Sequence, residues 1–454
     1  MRYRSFIVGV MGFLLLGFSS GGWAQGWKAG LAQTAITPKQ PLWMGGYASR
    51  THVSDGKLHD LWAKALALED ATGKRAVLVT ADLLGFPKAL SDRVRKRIEE
   101  LEGLGRDQIL LNSSHTHSGP VLENALVDVY PMNEEEQAQV RQYTRQVEDQ
   151  IVALIRQAIR QLEPAEVFAG NGVTRFQVNR RSNKEPTLPQ QIALNGPNDF
   201  AVPVLRVLDK KGNLKALAFG YACHPTVLDL YQWSGDYVGF AQLELEKAYP
   251  GATVLFFQGA AGDLNPLPRR TIPLAKQYGR ELAAAVQRVV EEPMRSLKPV
   301  LKTAYTEIDL PFSDPPTDTE LNALTASKET YQQRWATRMI RARQRNEPVR
   351  SSYPYPVQLW QIGDQWVVGL GGEVVVEYAI DVKKRLGADV FVIGYSNDVM
   401  GYIPSERVLG EGGYEGDSSQ MVYGLPARWA PGLQAKILTA VNQLSQQLLA
   451  LPAK

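Results

Sequence analysis

The sequence predicts an α/β fold, a layered single catalytic domain with mixed sheets flanked by helices. Strand-like apolar runs alternate with amphipathic stretches of helical period along the chain. The composition is globular: 454 residues, 44% hydrophobic and 21% charged, long enough for a large core. Neither an internal repeat nor a low-complexity tract interrupts it.

Taken in order, the N-terminus has its own grammar. Arg2 and Arg4 precede an apolar run over 6–18, and small residues then lead to Gly22-Trp23-Ala24. This pattern reads as a secretory signal peptide over 1–24, leaving a mature chain from about Gln25 that is periplasmic or secreted. The apolar run is short for a membrane span, and no cysteine stands at the cleavage site to carry a lipid. Removing the two arginines takes the formal net charge from +3 to +1, and no basic cluster with interleaved aromatics remains, so nucleic acid is not an expected partner. Cys223 is the single cysteine, which excludes an intramolecular disulfide and leaves it a packing role.

The mature chain opens its layered part with a buried strand over 76–80 that runs into Ala81-Asp82. Val94, Ile98 and Leu101 share one helical face after it. A short strand over 107–112 follows, then a long helix over about 134–162 with Val147, Ile151, Leu154 and Ala158 on one side. Further strands are expected at 202–208, 216–221, 252–258, 359–362, 366–370 and 390–395, with helices at 272–291, 374–386 and 434–449. The segment 314–352 differs: prolines first, then a charged stretch rich in Gln, Arg and Ala, which reads as a solvent-facing helical insertion. Its Arg338, Arg341, Arg343 and Arg345 offer peripheral contact with an anionic membrane surface, beside the plainer reading of a solvated helix face.

Candidate chemistry gathers at strand ends. Residues 111–120 read Leu-Asn-Ser-Ser-His-Thr-His-Ser-Gly-Pro and hold two of the five histidines, His115 and His117. Side chains two apart on a strand share a face, so the pair reads equally as a metal or catalytic site and as a polar structural cluster. The strand over 216–221 runs into Cys223-His224-Pro225, that over 366–370 into Gly371-Gly372-Glu373, and that over 390–395 towards Gly401-Tyr402. Two imidazoles and a carboxylate suit zinc, which commonly keeps a position open for water. Glu373 could equally answer a helix dipole, and His224 could be a satisfied core histidine. Spacing does not combine them, since no local zinc signature such as His-Glu-x-x-His is present.

The order of several short strings carries more. Met44-Gly-Gly-Tyr-Ala48, Gly56-Lys-Leu-His59, Ser114-His-Thr-His-Ser-Gly-Pro120, Asn179-Arg180, His224-Pro225, Gly259-Ala-Ala-Gly-Asp-Leu-Asn-Pro266, Gly372-Glu373 and Tyr414-Glu-Gly416 follow one another along the chain. In this order they resemble the catalytic N-terminal domain of the neutral/alkaline non-lysosomal ceramidase family, over most of residues 25–454. The resemblance implies a zinc held by His115, His224, Glu373 and Tyr402, with His117, Arg180 and Tyr414 facing a scissile amide carbonyl. His117 is then the expected donor of a proton to the leaving amine, and Asp82 a candidate to orient a ligand histidine.

The chain departs from the family in three places. Asn265 stands where the family carries a serine, and a carboxamide cannot form an acyl-enzyme, so serine chemistry is excluded there. Gly401-Tyr402-Ile-Pro-Ser replaces the family's Tyr-x-Thr-Thr. The sequence also stops near the end of the catalytic domain, ahead of the family's immunoglobulin-like module. The expected activity is zinc-dependent hydrolysis of an N-acyl amide, ceramide or a related lipid among them. The alternatives are a metal-dependent hydrolase of another ester or small amide, and a non-catalytic binding protein on the same fold. A long acyl chain requires a deep apolar channel above the metal, whereas a wide polar bowl argues against it.

Overall fold

Alternation of side chains sets the first layer. In the strand Trp62–Glu69, Ala63, Ala65 and Ala67 face one side and Leu66 and Leu68 the other, and all are buried. A strand buried on both faces belongs inside a layered fold. The computed structural model, which describes residues 26–451, places it in a nine-stranded mixed sheet. The candidate signal peptide lies outside the described residues. The sheet runs Thr253–Gln258, Leu214–Tyr221, Ala201–Asp209, Glu163–Val173, Trp27–Ala35, Trp62–Glu69, Arg75–Ala81, Ile109–Ser113, with Arg295–Ser296 beside Glu163–Val173. Only its two outermost pairs are parallel. The sheet curls until these edges meet, where the backbone N–H of Gln258 donates to the Asn112 side-chain oxygen at 2.9 Å.

A second sheet orders Leu301–Pro311, Ser352–Ile362, Gln365–Leu370 and Phe391–Ile393, the last pair parallel. The two sheets pack face to face: Leu66, Leu78, Leu110 and Phe257 of the first meet Trp360, Val367 and Phe391 of the second. Helices cover the outer faces. Lys88–Glu102 and Glu134–Arg160 bury Val94, Ile98, Val147 and Ile151 against the alanine face of the first sheet. Asp236–Ala248 and Ile272–Glu291 cover its other half, and Val376–Leu386 and Leu433–Ala450 cover the second sheet. The α/β reading with helix-flanked mixed sheets is what the structure shows. Among the described residues no helix is long and apolar enough to cross a membrane.

Where capping chemistry is strong, the expected boundaries agree. Asn133 and Glu136 form a capping box before Glu134–Arg160, and Thr271 caps Ile272–Glu291 with a proline in its first turn. The expected helix at 374 instead starts at Val376, because Glu373–Val374 pairs in parallel with Tyr402–Ile403. The last strand stops at Ile393 rather than 395, since Tyr395 turns to a left-handed φ of 50°. The segment 314–352 is helical and largely solvent-facing, with one packed side. Its helices Asp318–Leu324 and Thr330–Gln344 bury Leu321, Trp335, Ala336 and Met339 together, and Trp335 Nε1 donates to the carbonyl of Leu425 at 2.9 Å. Of the four arginines singled out in it, three are paired, Arg338 with Asp128, Arg343 with Asp318 and Arg345 with Glu347. It is a strap packed through its apolar side and solvated on the other.

Candidate metal centre

Every strand end singled out in the sequence leads to one place. The strand Ile109–Ser113 delivers His115, Leu214–Tyr221 delivers His224, Gln365–Leu370 delivers Glu373, and Tyr402 lies in parallel register with Glu373. His115 has a left-handed φ of 63°, a conformation costly for a non-glycine residue and maintained by its surroundings. Its N–H bonds to the Leu83 carbonyl at 3.0 Å, and Ser114 N–H bonds to Ala81 at 2.9 Å. Gly372 has a φ of 70°, and a Cβ there would lie 2.7 Å from the Gly401 carbonyl oxygen, so only glycine lets the Glu373 and Tyr402 segments approach.

The four side chains converge through atoms able to bind a metal. Glu373 Oε2 lies 3.2 Å from His115 Nε2 and 2.9 Å from His224 Nε2, and the Tyr402 hydroxyl lies 3.3 Å from His224 Nε2. All four are essentially buried. The outer nitrogens fix the tautomers: His115 Nδ1 faces the Leu84 carbonyl, and His224 Nδ1 faces those of Ala261 and Leu264 at 2.6 and 3.1 Å. With both Nδ1 atoms donating outward, both Nε2 atoms turn lone pairs onto a carboxylate oxygen. Acceptors facing acceptors in a buried space are matched by a shared proton or by a metal cation, and a donor set of N, N, O and O suits zinc. The residues therefore fit the expected metal. Burial alone would raise the Glu373 carboxyl, but His115 and His224 hold it well below the usual range. Burial, reinforced by Arg180, lowers His224 to about 4.

His117 joins this cluster from the other side. Its Nε2 lies 3.2 Å from His115 Nε2, and His115, His117 and His224 form one buried group able to hold a metal. Burial first, then the neighbouring His115 and His224, hold its pKa well below the ordinary value, so it rests as a neutral imidazole rather than a charged acid. Its Nδ1 is buried without a protein partner among the described residues. The Met44-Gly-Gly-Tyr string packs against it: a Cβ on Gly46 would lie 2.3 Å from the His117 ring, and Tyr47 meets that ring edge-on at 4.8 Å.

Arg180 is more occupied than its expected role implies. Its three nitrogens serve Glu415 (2.7 Å), Asn265 (3.2 Å) and the Tyr402 hydroxyl (3.0 Å). Tyr414 is 42% exposed, with its ring against Tyr402 at 5.2 Å. Several partners were not legible in the sequence. Tyr423 donates to Glu373 Oε1, Tyr395 lies 3.4 Å from Glu373 Oε2, and Arg50 holds the His117 carbonyl at 2.8 Å. Their only sequence trace was placement near the matched strings. Asp82 is a correction: its carboxylate accepts from the backbone N–H of Trp62 at 2.9 Å, and backbone carbonyls orient the ligand histidines instead. Cys223 is buried with its thiol pushed well up by desolvation, consistent with packing.

Two cavities flank the centre. One, of about 730 Å³, is a polar bowl whose wall includes Arg180, Asn265, Tyr414 and Glu415. The other, of about 420 Å³, runs past Leu84, Val121, Leu126, Val399, Met400 and Tyr423 and is more apolar.

Comparison with known proteins places this geometry. The family model for neutral/alkaline non-lysosomal ceramidase, N-terminal, matches residues 27–267. Neutral ceramidase of Drosophila melanogaster is 26% identical over 274 residues, covering 56% of this chain and 38% of the relative. Neutral ceramidase A of Dictyostelium discoideum is 27% identical over 245 residues, covering 50% and 34%. The chain thus spans little more than a third of the length of these relatives. In fold, it is similar to the crystal structure of neutral ceramidase from Pseudomonas aeruginosa, with a TM-score of 0.72, 20% identity, and coverage of 95% of this chain and 76% of that one. A ceramidase complexed with C2 gives 0.71 at 18% identity, with coverage of 93% and 76%. With the family match extending over more than half its length, the chain belongs to the neutral/alkaline non-lysosomal ceramidase family.

Proposed function

We propose that the protein is an exported zinc-dependent amidohydrolase that cleaves an N-acyl amide, with His115, His224, Glu373 and Tyr402 holding the metal. The observation that carries this reading is the buried confrontation of two imidazole lone pairs with the Glu373 carboxylate. Zinc in such a site supplies Lewis acidity and an activated water. The chain's own groups do the rest. The neutral His117 is placed to take a proton from the attacking water and pass it to the leaving amine. Arg180 anchors the Tyr402 hydroxyl, and the Tyr414 hydroxyl, which has no hydrogen-bond partner among the described residues, is placed to donate to the developing oxyanion. Asn265 supplies no nucleophile and instead accepts from Arg180. The relatives are neutral ceramidases and one solved neighbour is complexed with C2, which supports a lipid amide as the substrate class.

A second reading, hydrolysis of another ester or a small polar amide by the same centre, draws on the polarity of the bowl. Protein purified without added metal is expected to contain about one zinc per chain and to release amine from N-acyl amides faster than alcohol from matched esters. Absence of zinc, or a Glu373→Ala variant that hydrolyses amides at the wild-type rate, overturns the proposal. Faster ester cleavage selects the second reading.

A further inference from the structure

The bowl beside the centre is built for charge. Five cationic side chains and three carboxylates line it, and its apolar wall is limited to a few groups such as Leu267 and Pro186. Each carboxylate is already matched: Glu415 by Arg180 and Arg181, Glu411 by Arg181 and Arg407, Glu185 by Arg269. The cations are not used up. Lys184 forms no ion pair among the described residues, and Arg269 spends only its Nε, at 3.0 Å from Glu185, leaving both terminal nitrogens free.

Asn265 supplies an independent observation. It is only 4% exposed and lines the bowl. Arg180 Nη1 donates to its Oδ1 at 3.2 Å, which fixes the orientation of the amide plane. The Nδ2 donates to no protein atom among the described residues, so an otherwise buried side chain keeps an open N–H donor at the wall of the bowl. An amide donor fixed in orientation beside free guanidinium and ammonium groups matches an oxyacid anion.

We propose that the bowl is an anion subsite. The amide cleaved at the neighbouring centre carries a carboxylate or phosphate on its amine half, held by Asn265 Nδ2, Lys184 and Arg269. The amine half is assigned here because charged and amide side chains dominate the lining, and its apolar side chains, Pro186, Leu267 and Tyr414, are too few to form the continuous wall an acyl chain needs. This inference rests on the amidohydrolase reading for the identity of the bond cleaved, while the subsite itself is tested by binding.

The test uses the zinc-loaded full chain and three sulfonamides that resist hydrolysis: N-(hexylsulfonyl)glycine, N-(hexylsulfonyl)ethanolamine and the phosphate ester of the latter. Calorimetry is expected to show at least one anionic probe binding about tenfold tighter than the neutral alcohol. Whichever anion wins distinguishes a carboxylate from a phosphate source. The preference should fall towards unity in the Lys184→Ala/Arg269→Ala double variant and be reduced in Asn265→Leu, with the melting temperature confirming that each is folded. Equal affinity for all three probes, or a preference that survives in the double variant, overturns the subsite. If the preference is present but no N-acyl amide is cut, the subsite stands and the amidohydrolase reading falls.

Discussion

At the scale of single residues, backbone carbonyls do the decisive work. They fix the Nδ1 protons of His115 and His224 and so direct both Nε2 atoms inward. Glu373→Gln keeps the shape and removes the charge that gathers the metal. Its expected outcome is loss of zinc by elemental analysis, and a fall in amide hydrolysis beyond the ~10–100-fold typical of losing a residue one layer out. Asp398 carries a different consequence. Burial pushes its carboxyl up to about 7, and the Tyr353 hydroxyl donates to it at 2.6 Å. Its unfolded value is about 3.9, so between about pH 4 and 7 the folded state holds a proton that the unfolded state has released. Stability from this group is therefore full below pH 4 and falls as pH rises to about 7. Asp398→Asn should melt higher than wild type at pH 8, by about 1–3 kcal/mol, with no gain at pH 4. A gain of equal size at both pH values would contradict the assignment.

At the scale of elements, the loop Gly259–Pro266 clamps the site from behind. Asp263 accepts from the N–H of Val376, at the start of the helix after Glu373, and from the Asn179 amide beside Arg180, both at 2.8 Å. One carboxylate thus ties a ligand-bearing segment to an anion-facing one. Asp263→Ala leaves two buried donors unpaired and is expected to cost about 1–3 kcal/mol in thermal unfolding. It should also weaken zinc about 10–100-fold in a competition titration against a chromophoric chelator; full stability with unchanged zinc affinity would show that the clamp is idle. The Gly-Asp-Leu-Asn-Pro string was visible in the sequence, but the Asp263 contacts span 84 and 113 residues, and no local pattern encodes them. The helix Thr330–Gln344 carries a similar long-range contact: Arg338 is received by Asp128, 210 residues away.

At the scale of the whole molecule, the centre is a joint between two sheets. His115 and His224 come from the first sheet, and Glu373 and Tyr402 follow the strands of the second. A metal bound across that joint stabilises the folded state by linkage, by about 2.7 kcal/mol when free zinc is 100 times its Kd. Dipicolinate treatment should therefore lower the melting temperature and abolish hydrolysis, and added zinc should restore both. Identical melts with and without chelator would exclude a metal across the joint. The sequence by itself determined the layered α/β class, the candidate strand ends and, through the order of its short strings, the ceramidase-like resemblance. Those features are local: side-chain period, caps and motif order are written in neighbouring residues. Only the tertiary structure decided that four strand ends converge, that His117 rests neutral, that Arg180 is already engaged, and that a polar bowl lies beside the centre. These depend on the curl of one sheet and its packing on another, which set distances between residues hundreds of positions apart.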